Sequence, residues 1–230
     1  MGNPGTWCVT PPNLPCLRPA SLLLPGRGVD IVRLDPAGHL DGLWQAIGSD
    51  PSLWTGIPSG PFATRAEFAA WLETRAQRDD LILNTILDKS GPEPVPAGLY
   101  FLLNLNPAMG VAEFGLIYGP ALTRRIGGTE AFYLQARYLF ETLGYRRLEW
   151  RCEPSNLASN RAAQRFGFTR EGVMRQTAWL KGGNWDTALY ALLDHEWPAV
   201  AARLESWLAP ENFDAAGRQI LKLGEVGPRN

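Results

Sequence analysis

The order of strand-like and helix-like segments constrains the fold of this chain more than any other feature of its sequence. From about residue 28 onward, hydrophobic periodicity predicts a strand, two helices, three strands, a helix, a strand, a helix, two strands and a final helix. This order is not a run of regular βαβ units, and it predicts a mixed α/β layer structure of the α+β type. The sequence contains no internal repeat.

The clearest element is a predicted helix from Thr129 to Leu143, which Gly144 ends as a left-handed cap. The loop before it carries two arginines and two glycines, Arg124-Arg125-Ile126-Gly127-Gly128. Glycine lets the backbone approach a ligand closely, the free N–H groups of a helix start favour a phosphate, and arginine adds bidentate contacts. A Gly-Gly pair before a helix is more often an ordinary turn, so this loop alone is weak support for a phosphate site.

Composition excludes several classes of protein. The chain has 230 residues, 45% of them hydrophobic, which suits one large globular domain. With 22 basic and 23 acidic side chains the formal charge is −1, which gives no electrostatic footprint for nucleic acid or an anionic membrane. The histidines and cysteines form no metal-ligand spacing, and HExxH, GxSxG and GxxxxGK motifs are absent. We therefore expect no metal, no nucleic acid and no membrane partner.

Location and organisation follow from the same pass along the chain. No apolar run approaches the ~20 residues that span a bilayer, and the N-terminus lacks a signal-peptide pattern. We expect a soluble, cytoplasmic protein with free thiols, in which Cys8 and Cys16 would pair only in an oxidising compartment. Many prolines near the N-terminus predict an irregular arm, pinned by Trp7, Leu14 and the leucines at 22–24. The predicted division is an arm at 1–26, a main domain at 27–209 and a C-terminal extension at 210–230.

A second stretch makes the phosphate-loop interpretation specific. It reads Asn156-x-x-Ser159, continues as a predicted helix ending at Gly167-Phe168, and is followed by Glu171-Gly-x-x-Arg175. With the loop at 124–129, these motifs resemble the GCN5-related N-acetyltransferases (GNAT), of the RimJ/RimL type that acetylates ribosomal proteins and many other amines. The resemblance covers roughly residues 24–208. One departure is Thr129, which stands where relatives carry a small residue.

The resemblance implies a GNAT fold, with a mixed central sheet of about six to seven strands, a splayed central pair and helices on both faces. It also implies acetyl-CoA as co-substrate, with the pantetheine arm in the gap and a backbone N–H near Ile117 or Tyr118 polarising the thioester carbonyl. The pyrophosphate is expected on residues 125–129. The implied cofactor-binding residues are Leu116, Ile117, Tyr118, Arg124, Arg125, Ile126, Gly127, Gly128, Thr129, Asn156 and Ser159.

Ser159 and Asn156 each have a chemical and a structural interpretation. Ser159 matches the family serine and is expected to bond to the sulfur or to donate a proton, although serine in a first helical turn also acts as a cap. Asn156 is expected to bond the pantetheine amide, and capping of the helix is the alternative or additional role.

The predicted general base is Glu113. Strand alternation puts it on the same face as Gly115 and Ile117, and the alternative is an ion pair with an arginine. Relatives often place a base carboxylate on the strand after the Glu-Gly motif, but residues 176–179 contain no acid here. Asp186 is the other candidate, unless it only fixes a hairpin.

The resemblance implies transfer of the acetyl group of acetyl-CoA directly to a primary amine of a small molecule, an amino acid or a protein N-terminus. The alternative is a non-catalytic acyl-CoA-binding or sensing module on the same fold. A homodimer is left open. Aromatic residues are candidates for an apolar acceptor pocket, with core packing as the alternative, favoured for Trp44 and Trp71. The acceptor-site candidates are Trp54, Tyr100, Trp179 and Asp186, with Trp71 and Trp185 also considered.

Overall fold

A mixed β-sheet forms the centre of the molecule in the computed structural model, which describes residues 13–20, 23–215 and 217–225. The strands of these residues are β1 Leu23–Pro25, β2 Val29–Arg33, β3 Ile82–Asp88, β4 Val95–Asn106, β5 Val111–Tyr118, β6 Arg147–Cys152, β7 Thr169–Leu180 and β8 Gly183–Leu193. They form one eight-stranded sheet in the order β1-β2-β3-β4-β5-β6-β8-β7. The predicted α/β class is confirmed, and the strand count exceeds the predicted six to seven.

The additional strand is β1, which lies in the segment predicted as an irregular arm. It pairs antiparallel with β2, with Leu24 opposite Ile31. Three residues are too few to show a periodic pattern, so pairing with β2 rather than local propensity creates this strand. The division at 1–26, 27–209 and 210–230 stays a prediction.

Cys16 holds part of the N-terminal segment against the rest of the domain through two hydrogen bonds. Its backbone N–H donates to Pro107 O (2.9 Å), and its buried thiol donates to Gly144 O (3.0 Å). Cys16 and Cys152 are both free and buried. Trp7, Cys8 and Leu22 lie outside the described residues.

Helices cover both faces of the sheet. The helices are α1 Leu40–Leu43, α2 Arg65–Ala76, α3 Ile126–Arg137, α4 Leu157–Arg165 and α5 Trp197–Leu208. α1 begins later than the Asp35-Pro36 start that the sequence predicts, because the Asp35 carboxylate accepts the Ala37 N–H (3.1 Å) in a local turn. α3 begins earlier than the predicted Thr129, so the Gly-Gly pair belongs to its first turn.

A hydrophobic core lies under each layer of helices. In the core under α3, α4 and α5, Phe132 stacks on Phe166 (centroids 4.2 Å) and packs edge-on against Phe114 (5.4 Å). The core under α1 and α2 contains Trp54 and Phe68, whose rings are 6.2 Å apart. Successive residues of a strand contribute to opposite cores, because side chains alternate across the sheet.

The two central strands of the sheet separate partway along their length. β5 and β6 pair in parallel from Val111 opposite Arg147 to Phe114 opposite Trp150. Beyond that point residues 115–118 pair with β4, and residues 151–152 pair with β8. A gap therefore opens between β5 and β6, as the resemblance implies.

We expect Phe132→Ala to lower the free energy of unfolding by about 3–5 kcal/mol, because it removes a fully buried ring and leaves a cavity. Urea denaturation measures this change. Met109→Ala is the matched control, since Met109 is 59% exposed, and it should change stability by less than about 0.5 kcal/mol. Equal losses in the two variants would contradict the core described above.

Candidate active site

The start of α3 offers backbone N–H groups to an anion. Arg125 is the N-cap residue and makes no side-chain cap hydrogen bond. The first N–H groups of a helix have no partner within the helix, so an uncapped start suits a phosphate. Arg124 and Arg125 are exposed beside this turn, and Arg124 has a positive φ of 60°. These residues therefore fit the diphosphate of a nucleotide cofactor.

Close packing explains both glycines in this turn. A Cβ on Gly127 would lie 2.8 Å from Val29 Cγ1. A Cβ on Gly128 would lie 2.5 Å from the backbone oxygen of Leu122 and 3.0 Å from the Tyr118 ring. The Tyr118 hydroxyl also donates to Gly128 O (2.7 Å). A side chain at position 128 would thus force apart the end of β5 and the start of α3.

Glu130 stabilises the same turn through hydrogen bonds of its side chain. Its buried carboxylate accepts hydrogen bonds from Arg27 N (2.6 Å) and Gly28 N (2.9 Å), in the turn between β1 and β2. Sequence reasoning assigns Glu130 no role, and its one signal is an acid directly after the glycine turn, in the second turn of α3. Arg165 adds a second brace, because its guanidinium donates to Thr129 Oγ1 (3.0 Å).

The register of β5 determines which of its N–H groups face the gap. Gly119 N donates to Ala97 O of β4 (2.9 Å). Because amides alternate between the two sides of a strand, Ile117 N–H also faces β4, whereas Leu116 and Tyr118 N–H face the gap. Of the two residues predicted for the thioester carbonyl, the geometry thus favours Tyr118, together with Leu116.

Ser159 lies across the gap in the first turn of α4. Its Oγ accepts a hydrogen bond from the indole Nε1 of Trp150 (2.9 Å), the β6 residue at the point of separation. An accepted bond on the oxygen leaves the hydroxyl hydrogen to be donated. The buried Cys152 thiol is a neighbour, and burial raises its pKa despite a hydrogen bond with Ser159.

Asn156 connects α4 to the loop after α1. Its Oδ1 accepts the Ser159 N–H (3.1 Å), which makes it the helix cap. Its Nδ2 donates to Gly56 O (3.3 Å). Both functional groups of the amide have protein partners, so the capping role that the sequence left open is present, and contact with pantetheine stays a prediction.

Glu113 lies on the β5 face that is covered by α1 and α2, beside the gap. It accepts a hydrogen bond from Asn104 Nδ2 (2.7 Å) and pairs with Arg151 (Nε–Oε2 3.3 Å). Burial raises the pKa of Glu113, and the neighbouring Arg151 and Asn104 only partly oppose this. The arginine pair that the sequence offered as an alternative therefore coexists with a carboxyl group of raised proton affinity.

The Glu113–Arg151 pair is the end of a longer ion-pair chain across three strands. Arg151 also bonds Glu149 (2.8 Å), Glu149 bonds Arg147 (2.8 Å), and Arg147 bonds Glu171 (2.6 Å). Burial alone would raise the pKa of Glu149, but its two arginine partners hold it below the usual value. Of the carboxylates in this series of ion pairs, Glu113 is thus the one whose pKa is raised.

The four acceptor-site candidates do not line the cleft. Trp54 is fully buried with its indole N–H on Ile47 O (2.8 Å), and Tyr100 is buried in the core under α3. Trp179 is 69% exposed on the β7–β8 hairpin. The Asp186 carboxylate accepts Gln176 N–H (2.7 Å), so it fixes that hairpin.

A cleft of about 2380 Å³ joins the remaining site features. It contains Glu113, Ser159 and all the predicted cofactor-binding residues, from the phosphate turn to the gap. A further branch runs between the sheet and the loop at 51–61, lined by Leu53, Ile57, Trp71, Phe101 and Leu103. Trp71 and Trp185 line the cleft. Trp71 also packs against the core under α1 and α2, as was favoured for it.

The tip of the β7–β8 hairpin contacts the loop that borders this further branch. Lys181 Nζ donates to the backbone oxygens of Trp54 and Ser59, on the loop at 51–61. Together with the Asn156–Gly56 bond, this contact ties the loop to both walls of the cleft. The loop at 51–61 is therefore anchored to the hairpin and to α4.

Comparisons with known proteins agree with this geometry. A family model described as an acetyltransferase (GNAT) domain matches residues 30–169. The crystal structure of a GCN5-related N-acetyltransferase from Brucella melitensis is 42% identical, with a TM-score of 0.87, and the match covers 92% of this chain and 96% of that one. A probable GNAT acetyltransferase from Chromobacterium violaceum ATCC 12472 is 34% identical, with a TM-score of 0.77 and coverage of 86% and 100%. The chain belongs to the GNAT acetyltransferase family.

Similarity of fold extends further than similarity of sequence. The structure of RimL, a ribosomal L7/L12 alpha-N-protein acetyltransferase, is 19% identical, with a TM-score of 0.66 and coverage of 77% and 99%. A search of the curated proteins finds no match to the chain. Within the described residues, no helix has the length and apolarity to cross a membrane, and no three His, Cys, Asp or Glu residues are grouped as metal ligands.

We expect Asn156→Ala to destabilise the protein by about 1–2 kcal/mol, through loss of the α4 cap. Asn156→Asp keeps one of the two hydrogen bonds and removes the other. A carboxylate still accepts from Ser159 N but does not donate to Gly56 O. This variant should recover most of the loss in a chemical denaturation experiment. If Asp and Ala are equally destabilising, the bond to Gly56 rather than the cap dominates.

Proposed function

We propose that the chain is an acetyl-CoA-dependent N-acetyltransferase that transfers the acetyl group directly to a primary amine of a small molecule. The observation that carries this proposal is one continuous cleft joining an uncapped, glycine-containing helix start to the gap between β5 and β6. The first feature suits a diphosphate, and the second exposes N–H groups to a carbonyl oxygen.

The residues would bind acetyl-CoA along this cleft. The N–H groups at the start of α3 would hold the diphosphate, and Arg124 and Arg125 would add charge-assisted contacts. The N–H groups of Leu116 and Tyr118 would polarise the thioester carbonyl, where negative charge develops as the amine attacks. Bound acetyl-CoA supplies the activated acyl group.

Transfer requires the movement of two protons. The amine nitrogen forms a bond to the acetyl carbon, the carbon–sulfur bond breaks, the nitrogen loses a proton and the thiolate gains one. We assign Glu113 as the acceptor of the amine proton, and its position beside the gap and its pKa, raised by burial, support this role. We assign Ser159 as the donor toward the sulfur, and the bond from the Trp150 N–H, which orients its hydroxyl group, supports this role.

The anchored loop that borders the further branch of the cleft supports a small-molecule acceptor over a protein N-terminus or a larger peptide. The Lys181 contacts hold the hairpin tip against the loop at 51–61. A folded protein would have to displace that contact to bring its N-terminus to the gap. The apolar lining of the branch suits an amine with an apolar body.

A second candidate is a non-catalytic acyl-CoA-binding or sensing module. It is favoured by the absence of an acid at residues 176–179 and by Asp186, whose carboxylate bonds Gln176 N–H. This candidate binds acetyl-CoA but transfers nothing.

We expect the protein to bind acetyl-CoA in a calorimetric titration and to release the CoA thiol only when a primary amine is present. Mass spectrometry of a mixture of amines incubated with protein and acetyl-CoA identifies the acetylated product. Omission of protein and omission of amine are the controls. Binding without amine-dependent thiol release across the mixture would favour the non-catalytic candidate, and absence of binding would refute both.

We expect Glu113→Gln to remove the acidic limb of the pH–rate profile and to lower kcat/KM by about 10²–10⁴-fold. A base works only when deprotonated, so the wild-type rate should rise as pH passes through the raised pKa of Glu113. Glu171→Gln is the control, because Glu171 lies at the far end of the same ion-pair chain and should keep that limb. The attacking amine must be neutral, so its own ionisation gives a separate limb at higher pH in both proteins. A limb at the raised pKa of Glu113 that persists in Glu113→Gln would exclude Glu113 as the base.

A further inference from the structure

Two cationic side chains, Arg75 and Lys181, donate hydrogen bonds to the same residue of the acceptor branch, Ser59. Arg75, in the last turn of α2, donates from Nη2 to Ser59 Oγ (3.2 Å). Lys181, at the tip of the β7–β8 hairpin, donates from Nζ to Ser59 O (3.3 Å). Ser59 and Arg75 both line the cleft. Residues far apart in the chain thus bring two positive charges to the same corner.

Neither cation forms an ion pair with a carboxylate of the described residues. The neighbouring Arg78 does, through Asp80 (Nε–Oδ1 2.8 Å). Arg75 is half-buried, and its guanidinium lies over the Trp71 ring (5.9 Å to the centroid). Burial lowers the pKa of both Arg75 and Lys181 below the usual values, so both charges are partly desolvated. The nearby Asp80 carboxylate, which pairs with Arg78, only partly opposes this shift for Arg75. Such a corner favours an anionic group of a ligand.

A stretch of apolar surface separates this corner from the gap. Glu113 is opposite Leu103 in the β4–β5 register, and Phe101 follows on the same face of β4. The Phe101 ring contacts the Trp71 ring (centroids 6.2 Å), over which Arg75 lies. A series of apolar side chains, Leu103, Phe101 and Trp71, therefore lies between Glu113 and the guanidinium.

We propose that the acceptor is an amine whose apolar body carries a carboxylate at its far end, bound by Arg75 with Lys181 beside it. This inference rests on the proposed function, because it assigns the acceptor of the same site. The amine would reach the gap beside Glu113 while the carboxylate meets the guanidinium, which presents a fork of donors matched to two oxygens. An α-amino acid does not fit, since its amine and carboxylate share one carbon.

Matched acceptors test the inference with acetyl-CoA as donor. The probes are 4-(aminomethyl)benzoate, 4-methylbenzylamine, which lacks the carboxylate, and phenylalanine, which lacks the spacer. For the wild-type protein we expect kcat/KM to be about tenfold or more higher for the benzoate than for the methyl compound, as one charged hydrogen-bonded contact provides. Phenylalanine should be as poor as the methyl compound.

Two variants of Arg75 and one control locate the effect. Arg75→Gln should lower kcat/KM for the benzoate about tenfold and leave the methyl compound within about threefold. Arg75→Lys keeps the positive charge but lacks the paired donors of a guanidinium. It should retain part of the preference for the benzoate over the methyl compound. Arg78→Gln removes the same charge from a neighbouring exposed position and should change neither probe. Calorimetric binding of the benzoate to the CoA-loaded protein should weaken about tenfold in Arg75→Gln alone.

The outcomes separate this inference from the function on which it rests. Equal turnover of the benzoate and the methyl compound, unchanged in Arg75→Gln, overturns the carboxylate assignment and leaves the acetyltransferase proposal intact. A loss in Arg75→Gln that is the same for both probes also overturns it, because a structural role would act on both. If no amine is turned over, both proposals fail together.

Discussion

The separation of β5 from β6 is the constraint on which the rest of the site depends. The last paired residues, Phe114 and Trp150, stack at 5.6 Å with nearly parallel rings, and the strands then diverge. The N–H groups of Leu116 and Tyr118 consequently face a cleft instead of a neighbouring strand. Backbone polar groups in such a position require a partner. The fold thus creates a row of hydrogen-bond donors in its centre, and the helix start beside it supplies more.

Packing and ligand binding make overlapping demands on the same residues. Gly128 is required by its contact with the Leu122 backbone, whatever binds nearby. Asn156 caps α4, and Ser159 accepts a bond from Trp150, so both have structural partners before any substrate arrives. These bonds also orient the groups that face the cleft. A structural role at these positions therefore supports a chemical role and does not compete with it.

The sequence predicted the elements around the cofactor cleft better than the acceptor side. The long helix and its glycine turn are local signals, and the splayed strands came with the family motifs. The acceptor aromatics depend on strand register, because adjacent residues face opposite sides of the sheet. Tyr100 was the candidate and lies in the core, whereas Phe101, one residue later, lines the cleft. Similarly, β1 and the Lys181 contact arise from pairing between distant segments, which no local pattern reveals.

Asn156 has a mechanical consequence that extends beyond its two hydrogen bonds. Its amide holds Gly56 on one side and the first turn of α4 on the other. Residues of the loop at 51–61 line the cleft, and so does Ser159 on α4. A single side chain therefore joins two walls of the cleft, and the position of one wall is not independent of the position of the other.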